Sequence, residues 1–174
     1  MKSSILILFI YVVSFINLSA QSLALKEGNI RFISEKKGIS AENTTFKSEI
    51  NIQEKSISFS ITIKGFIFKK PKMQDHFNDK VMISETFPTA SFNGKIITTE
   101  DLSKPETYEV KVEGNMQIKD VKKEYNANGT IKISADGVAV KSEFMINKKD
   151  FNIEGFYANM TDDIIKVFLV SVYH

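Results

Sequence analysis

The sequence predicts an all-β protein, an antiparallel barrel of eight strands with one short helix inserted between strands. Apolar and polar residues alternate along most of the chain, most clearly from Ser56 to Ile63, and this period of two is typical of half-buried antiparallel strands. One long segment, Met73–Gly94, interrupts the alternation. About eight strands fit into residues 21–174, and eight strands can close into a barrel without exposed edges.

The first 20 residues are typical of a secretory signal peptide. Lys2 gives a positive start, Ile5–Ile16 is an almost unbroken apolar run, and small residues precede Gln21. The run is too short for a membrane-spanning helix. We therefore expect cleavage after Ala20, a periplasmic or secreted location, and one domain over residues 21–174. A retained N-terminal anchor is the alternative.

Composition argues against several kinds of function. The chain has 23 Lys and Arg against 21 Asp and Glu, whereas a nucleic-acid partner would need a concentrated basic excess. We therefore expect no nucleic-acid partner. The chain has no Cys, which excludes disulfides, thiol catalysis and Cys-ligated metals. No cofactor is expected.

The strands before the helix alternate cleanly and then change phase. One face of the first clear strand carries Phe46, Ile50 and Ile52, and the next carries Ile57, Phe59, Ile61 and Ile63. After Gly65 the apolar residues continue with the opposite parity, at Phe66 and Phe68. A β-bulge at Gly65 would return both rings to the interior that holds Phe59.

The interrupting segment has the features of a short helix. Pro71 suits a first helical turn, and Met73, Phe77 and Val81 recur every four residues on one face. Pro88 ends any helix because it disfavours the helical conformation at the preceding residue. We expect a helix from Met73 to about Val81 that closes part of the barrel, with its apolar face towards the interior. The polar residues expected in solvent are Gln74, Asn78 and Asp79.

Further strands follow the helix. They are predicted at Ala90–Ile97, Tyr108–Ile118, Tyr125–Ile133 and Val138–Ile146, with a short stretch around Phe151 and Ile153. Thr98–Glu106 is polar and predicts a surface connection, and Lys119-Asp120 and Ala135–Gly137 predict turns. Ile164–Tyr173 is apolar at both parities, which predicts a strand that is covered on both sides and closes the sheet.

Three stretches carry a resemblance to a known family. They are Asp75–Phe77 with Phe87–Gly94, Val112–Lys123, and Phe144–Phe151. They are similar to a histidine-bearing segment leading into a proline and an aromatic strand, a glycine-containing hairpin, and a closing aromatic run. The family is that of the YceI-like proteins, secreted bacterial barrels associated with polyisoprenoid and other lipid binding. The resemblance covers most of residues 28–172 and implies a lipocalin-like barrel.

The composition of the strands favours a cavity over a filled barrel. There are 14 Phe and no Trp, and these large side chains occur beside Gly94, Gly114 and Gly129, which would leave room for an extended chain. A barrel filled by side chains is the alternative. The residues predicted to contact ligand are Phe59, Ile61, Ile63, Phe66, Phe68, Met73, His76, Phe77, Phe92, Val112, Met116, Ile131 and Phe144.

The polar residues that could carry chemistry are His76, Asp75 and Asp79. A His–Asp pair can act as a general base, but His76 could equally line the cavity mouth or serve as a structural helix residue. No Ser or Cys nucleophile can be tied to it, and a zinc site would need distant carboxylates. We therefore expect neither an enzyme nor a metal site.

Three functions remain open. The first is a periplasmic or secreted carrier or store for an apolar lipid, such as a polyisoprenoid or an isoprenoid quinone, and it is the one we expect. The second is a secreted interaction protein with a filled barrel and no ligand, and the third is an enzyme using Asp75 and His76. Lys69, Lys70 and Lys72 either contact an anionic membrane surface transiently or are simply solvated. The sequence does not indicate the oligomeric state.

Overall fold

The computed structural model describes residues 21–174, which form a closed antiparallel β-barrel. The strands are β1 Leu23–Ser34, β2 Ile39–Asn43, β3 Lys47–Asn51, β4 Ser56–Thr62, β5 Ile67–Phe68, β6 Thr89–Ile97, β7 Thr107–Ile118, β8 Val121–Ser134, β9 Gly137–Asn147 and β10 Ile164–Tyr173. The predicted signal peptide, residues 1–20, lies outside the described residues. No helix between residues 21 and 174 is long and apolar enough to cross a membrane.

Ten strand segments make eight positions around the barrel. The order is β10-β9-β8-β7-β6-β4-β3-β1, and β10 closes the barrel by pairing with β1 from Leu25 to Ile33. β2 and β3 both pair with β1, at Ile30–Ser34 and at Leu23–Ala24, and they act as two halves of one interrupted strand. β4 and β5 are likewise two parts of one interrupted strand, because β4 pairs with β3 and β5 pairs with β2. The predicted eight-stranded barrel is confirmed.

The interruption between β4 and β5 is a turn rather than the predicted bulge. A 3₁₀ turn spans Ile63–Gly65, and it changes the direction of the chain where a bulge would only have added one residue. Phe66 and Phe68 are nevertheless buried, and both line the same interior as Phe59. The predicted inward position of both rings is therefore confirmed, but a 3₁₀ turn produces it and the predicted β-bulge is wrong.

A buried asparagine joins the two interrupted strands. Asn43 is fully buried; its Nδ2 donates to the carbonyl of Thr62 at 2.9 Å, and its Oδ1 accepts from the amide of Thr45 at 2.8 Å. A Cβ on Gly65 would lie 2.6 Å from Thr45 Oγ1, so only glycine allows this close approach. The hydrogen bond from Asn43 to Thr62 therefore joins the end of β2 to the end of β4, where both strands are interrupted.

The predicted helix is present and starts slightly earlier. The helix α1 spans Pro71–His76 and continues as a π-helical turn over Phe77–Val81. Two of the three polar residues predicted to lie in solvent do not do so. Gln74 Oε1 accepts a hydrogen bond from the amide of Phe68 at 3.3 Å, and Asn78 Oδ1 is buried, while Asp79 is exposed as expected.

The C-terminal half follows most of the predicted pattern. The turns after β7 and β8 lie where they were predicted. The stretch around Phe151 is not a strand: a 3₁₀ helix spans Lys148–Phe151, and Asn152 ends it in the left-handed conformation, with φ of 51°. β10 closes the barrel as expected, but its outer face is not covered, because Ile164 and Val170 are exposed.

One end of the barrel is closed by a buried leucine and a set of tyrosine hydrogen bonds. Leu102, in the loop predicted to be purely superficial, is buried. The hydroxyl of Tyr108 donates to the carbonyls of Asp101 and Lys104, at 2.9 and 3.0 Å. The hydroxyl of Tyr173 lies 2.7 Å from Ser48 Oγ. We call this the closed end.

Candidate ligand-binding cavity

The barrel encloses a cavity of about 320 Å³ between the closed end and α1. Strands β1, β2, β4 and β6–β10 all contribute inward-facing side chains, because alternate residues of a barrel strand face inward. The wall is mostly apolar. Its polar residues are His76, Ser91, Tyr125, Asn128, Ser142, Lys148, Tyr157 and Thr161.

All thirteen residues predicted to contact ligand line this cavity. Two of the three glycines expected to leave room for a ligand do something else. A Cβ on Gly114 would lie 2.2 Å from the carbonyl oxygen of Asn93, and one on Gly94 would lie 2.6 Å from the ring of Phe92. Gly114 therefore allows close strand packing, and Gly94 leaves room for the ring of Phe92 on its own strand. Of the three glycines, only Gly129 lines the cavity. Contact of the thirteen residues with a ligand stays a prediction.

A cluster of phenylalanines covers the cavity on the helix side. The ring of Phe77 lies 5.0 Å from Phe68, 5.6 Å from Phe32 and 5.8 Å from Phe66, measured between ring centroids. Aromatic pairs are most favourable at such separations. Because Phe77 also lines the cavity, the helix is fixed to the barrel by the same ring that faces the cavity.

The segment 148–163 covers the other side of this end. The ammonium of Lys148 is buried and donates to the carbonyls of Ala158 and Thr161, at 2.6 and 3.1 Å. Asp162 Oδ2 accepts from Ser34 Oγ at 2.9 Å. A hydrogen bond from Lys149 lowers the pKa of Asp163. The bonds of Lys148 and Lys149 join the two ends of the segment to each other, and Asp162 ties it to the end of β1. We call the helix and this segment together the cap.

The two parts of the cap meet at His76. Its ring lies 4.1 Å from that of Tyr157, between centroids, and both residues line the cavity. Asp75 is exposed. Within residues 21–174 no group of three or more His, Cys, Asp or Glu side chains could hold a metal. His76 is therefore a residue of the cavity wall, at the contact between the helix and the segment 148–163.

The barrel wall has a seam between β8 and β9. These strands pair only from Gly129–Ser134 to Gly137–Ser142. Beyond that point, towards the cap, Val121–Asn128 pairs only with β7 and Glu143–Asn147 only with β10, as far as residues 21–174 show. The two strands separate above the pair Gly129–Ser142. We call this unpaired stretch the seam.

Side chains bridge the seam where the backbones do not pair. The hydroxyl of Tyr125 donates to the carbonyl of Met145, and Ser142 Oγ donates to the carbonyl of Asn128 at 2.6 Å. The Tyr125 ring packs edge-on against Phe144, with the centroids 5.9 Å apart. Burial, and secondarily the charge of Asp150, raises the pKa of Tyr125, so its hydroxyl keeps the proton that it donates.

Several wall residues were not foreseen. Tyr125 was expected on an inward face but not in the ligand site, and its long side chain could have signalled a bridging role. Tyr157 and Met160 lie in a segment without periodicity, so no pattern marked them. Lys69 and Lys72, around Pro71, are exposed, which leaves both interpretations of this basic group open.

The comparison with known families decides the classification. A profile of the YceI-like domain matches residues 22–172. The chain belongs to this family. No curated protein sequence matches the chain significantly.

Solved structures show the same fold. BcnA of Burkholderia cenocepacia is 15% identical with a TM-score of 0.70, over 83% of this chain and 95% of that one. A polyisoprenoid-binding domain from Saccharophagus degradans is 14% identical with a TM-score of 0.70, over 87% and 97%. The YceI protein of Campylobacter jejuni is 14% identical with a TM-score of 0.57, over 100% and 92%. The YceI-like barrel predicted from the sequence is confirmed.

Proposed function

We propose that this YceI-like protein binds an apolar lipid, such as a polyisoprenoid or an isoprenoid quinone, inside the barrel. The observation that carries the proposal is the cavity of about 320 Å³ with its mostly apolar wall, since ligand cavities are commonly of this size and lining. The structural neighbour from Saccharophagus degradans is described as a polyisoprenoid-binding domain, which supports the same class of ligand. The cavity also favours a carrier over a filled barrel that acts through its surface.

The shape and chemistry of the cavity suit an extended chain. On β7 the lining residues run from Val110 to Ile118, which corresponds to an axial length of roughly 20 Å for a tilted strand. Burying about 500 Å² of apolar chain would gain roughly 12 kcal/mol before the costs of association. An apolar ligand therefore needs few polar contacts.

The wall also favours binding over catalysis. His76 stacks on Tyr157, whereas Asp75 is exposed to solvent, so the pair that could have formed a general base is divided. We propose a binding protein without catalytic activity. We further propose export with cleavage after Ala20; N-terminal sequencing should then give Gln21, and a membrane-bound form that retains Met1 would contradict this.

The direct experiment is native mass spectrometry of the protein purified gently from its own cell envelope. We expect an additional mass that is released by organic solvent and corresponds to an apolar lipid. Ala127 lines the cavity, so Ala127→Phe should fill it and abolish the additional mass. Lys132 is exposed on the same strand, and Lys132→Phe should retain it. Polypeptide mass alone in the wild-type protein, with no uptake of an added polyisoprenoid, would contradict the proposal.

A further inference from the structure

We propose that the apolar ligand enters and leaves the cavity sideways, through the seam between β8 and β9, with Tyr125 and Phe144 as its gate. The inference rests on the proposed function, because it describes the route to that cavity. Its basis is a contrast in what holds each part of the wall together. Towards the cap, backbone pairing joins β6 to β7, β7 to β8, β9 to β10 and β10 to β1, whereas β8 and β9 are unpaired there within the described part of the chain.

The seam opens directly onto the cavity. Tyr125, Ser142 and Phe144 lie along its two edges and also line the interior. The backbone of Asn128 lines it as well, although the side chain is exposed. At the seam, these side chains therefore form the barrier between the solvent and the cavity.

Opening the seam requires no change in backbone pairing. β8 stays paired with β7 from Val121 to Lys132, and β9 stays paired with β10. Among residues 21–174, the polar contacts that opening breaks are the Tyr125–Met145 and Ser142–Asn128 hydrogen bonds and an exposed ion pair, Lys123–Asp150, at 3.1 Å. Opening also separates the rings of Tyr125 and Phe144, which both pack at the edge of a buried apolar cluster. Side-chain rotations of this kind occur much faster than rearrangements of a sheet.

Opening the cap would disturb more. The helix would have to withdraw Phe77 from three other phenyl rings. The segment 148–163 would have to withdraw the buried Phe151, Ile153 and Ala158 from the apolar cluster that they form with Met116 and Ile118. It would also lose the hydrogen bond between Asp162 and the buried Ser34. The seam is therefore the weaker barrier.

The lower limit of the seam is built into the sequence. At its base, a Cβ on Gly129 would lie 2.5 Å from the carbonyl oxygen of Lys141. Glycine thus lets the strands pair closely at the point where pairing ends. The opening has a fixed base at Gly129 and Ser142 and extends from there towards the cap, so the gate residues decide how bulky a chain can pass.

A cross-link across the seam tests the route. The chain has no Cys, so Asn126→Cys with Met145→Cys introduces the only two thiols, on exposed positions of the two separated segments. A short bismaleimide can join them where the strands lie too far apart for a disulfide. The matched control is Lys132→Cys with Ala139→Cys, which are directly opposite each other where the same two strands are paired by their backbones. The probe is N-phenyl-1-naphthylamine, whose fluorescence increases in apolar sites, mixed with each protein before and after cross-linking.

We expect the seam cross-link to slow association and dissociation of the probe about tenfold each and to leave its equilibrium affinity unchanged. The control cross-link should change both rates less than twofold. If the probe binds and the seam cross-link leaves both rates within twofold, the lateral route is wrong while the binding function stands. If the probe does not bind the wild-type protein at all, both the route and the proposed function fail.

A second pair of variants tests the gate without cross-linking. Tyr125→Phe removes the hydroxyl that bonds to Met145 and keeps the ring, so probe exchange should become several-fold faster. Tyr108→Phe removes the corresponding hydroxyl bonds at the closed end and should leave the exchange rate unchanged. Equal exchange rates in both variants would overturn the role given to Tyr125.

Discussion

The two ends of this barrel are held together by different kinds of interaction. At the closed end the strands are paired by their backbones and Leu102 is buried. The hydroxyl of Tyr108 bonds to the carbonyl of Asp101, and the hydroxyl of Tyr173 bonds to Ser48. At the cap end the covering segments and the seam are held by side chains, chiefly Phe77, Lys148 and Tyr125. The same fold therefore combines a rigid base with a covering that can move without loss of the sheet.

The largest expected effect is at the closed end. Leu102→Ala should lower the free energy of unfolding by about 2–5 kcal/mol, because the buried side chain leaves a cavity. Denaturant unfolding measures this. The cap-end control is Phe156→Ala, where the side chain is 77% exposed, and the expected change is within about 0.5 kcal/mol. Equal losses in both variants would remove the contrast between the ends.

Phe77→Ala sharpens the contrast, because it truncates a large ring at the cap. A filled core would lose about 3–5 kcal/mol, but Phe77 is only half-buried and faces the cavity, so a loss of about 2–3 kcal/mol is expected without lipid. Bound lipid should fall clearly. Thermal stability and lipid content measured side by side decide the matter. A large stability loss with unchanged lipid would make Phe77 a core residue.

Lys148→Met tests how the cap segment is fixed. The variant keeps the length of the stem but leaves the carbonyls of Ala158 and Thr161 without their donor, for a loss of about 1–3 kcal/mol. Limited proteolysis should become faster within residues 152–162. Lys149→Met removes an exposed partner of Asp163 and should destabilise the protein less than Lys148→Met does, because solvent screens an exposed ion pair. Equal proteolysis of both variants would contradict the anchoring role.

The smallest effect is a pH dependence at the closed end. Burial raises the pKa of Tyr173 above its ordinary value, so the unfolded chain releases this proton first, near pH 10. The stability that the neutral phenol contributes is therefore fully present below about pH 10 and is lost as the pH rises through the folded pKa. Tyr173→Phe should reduce this alkaline loss in pH-dependent unfolding, at a cost of about 1 kcal/mol at neutral pH. Tyr125→Phe should reduce it less, because Tyr125 is less buried; a larger reduction for Tyr125 would reverse the comparison.

The sequence predicted the barrel because alternation at residues such as Ile57 and Phe59 reports directly on which face is buried. The spacing of Met73 and Phe77 located the helix for the same reason. The seam could not be predicted, because alternation continues through Tyr125 and Phe144 whether or not the strands pair. Periodicity describes the two faces of a strand and carries no information about its edges.

The other errors have local causes. The phase change near Gly65 was seen, but a bulge and a 3₁₀ turn both restore the parity of Phe66, so the pattern does not distinguish them. Asn78 was placed in solvent because Met73 and Phe77 were expected to turn the opposite face of the helix towards the cavity, although its Oδ1 is buried. Tyr157 was missed because a segment without periodicity gives no signal that it packs over a cavity.

The buried Asn43 has a consequence for how this protein can be produced. Asn43-Thr44-Thr45 is an acceptor sequence for N-linked glycans, and a eukaryotic secretory host can modify it before the chain folds. In the folded barrel the Asn43 amide is fully buried and bonded to Thr62, so no space remains for a sugar. A glycan attached there would keep β2 and β4 apart. Material from such a host would therefore include a folded fraction without a glycan at Asn43 and a fraction with a glycan at Asn43 that cannot close its barrel.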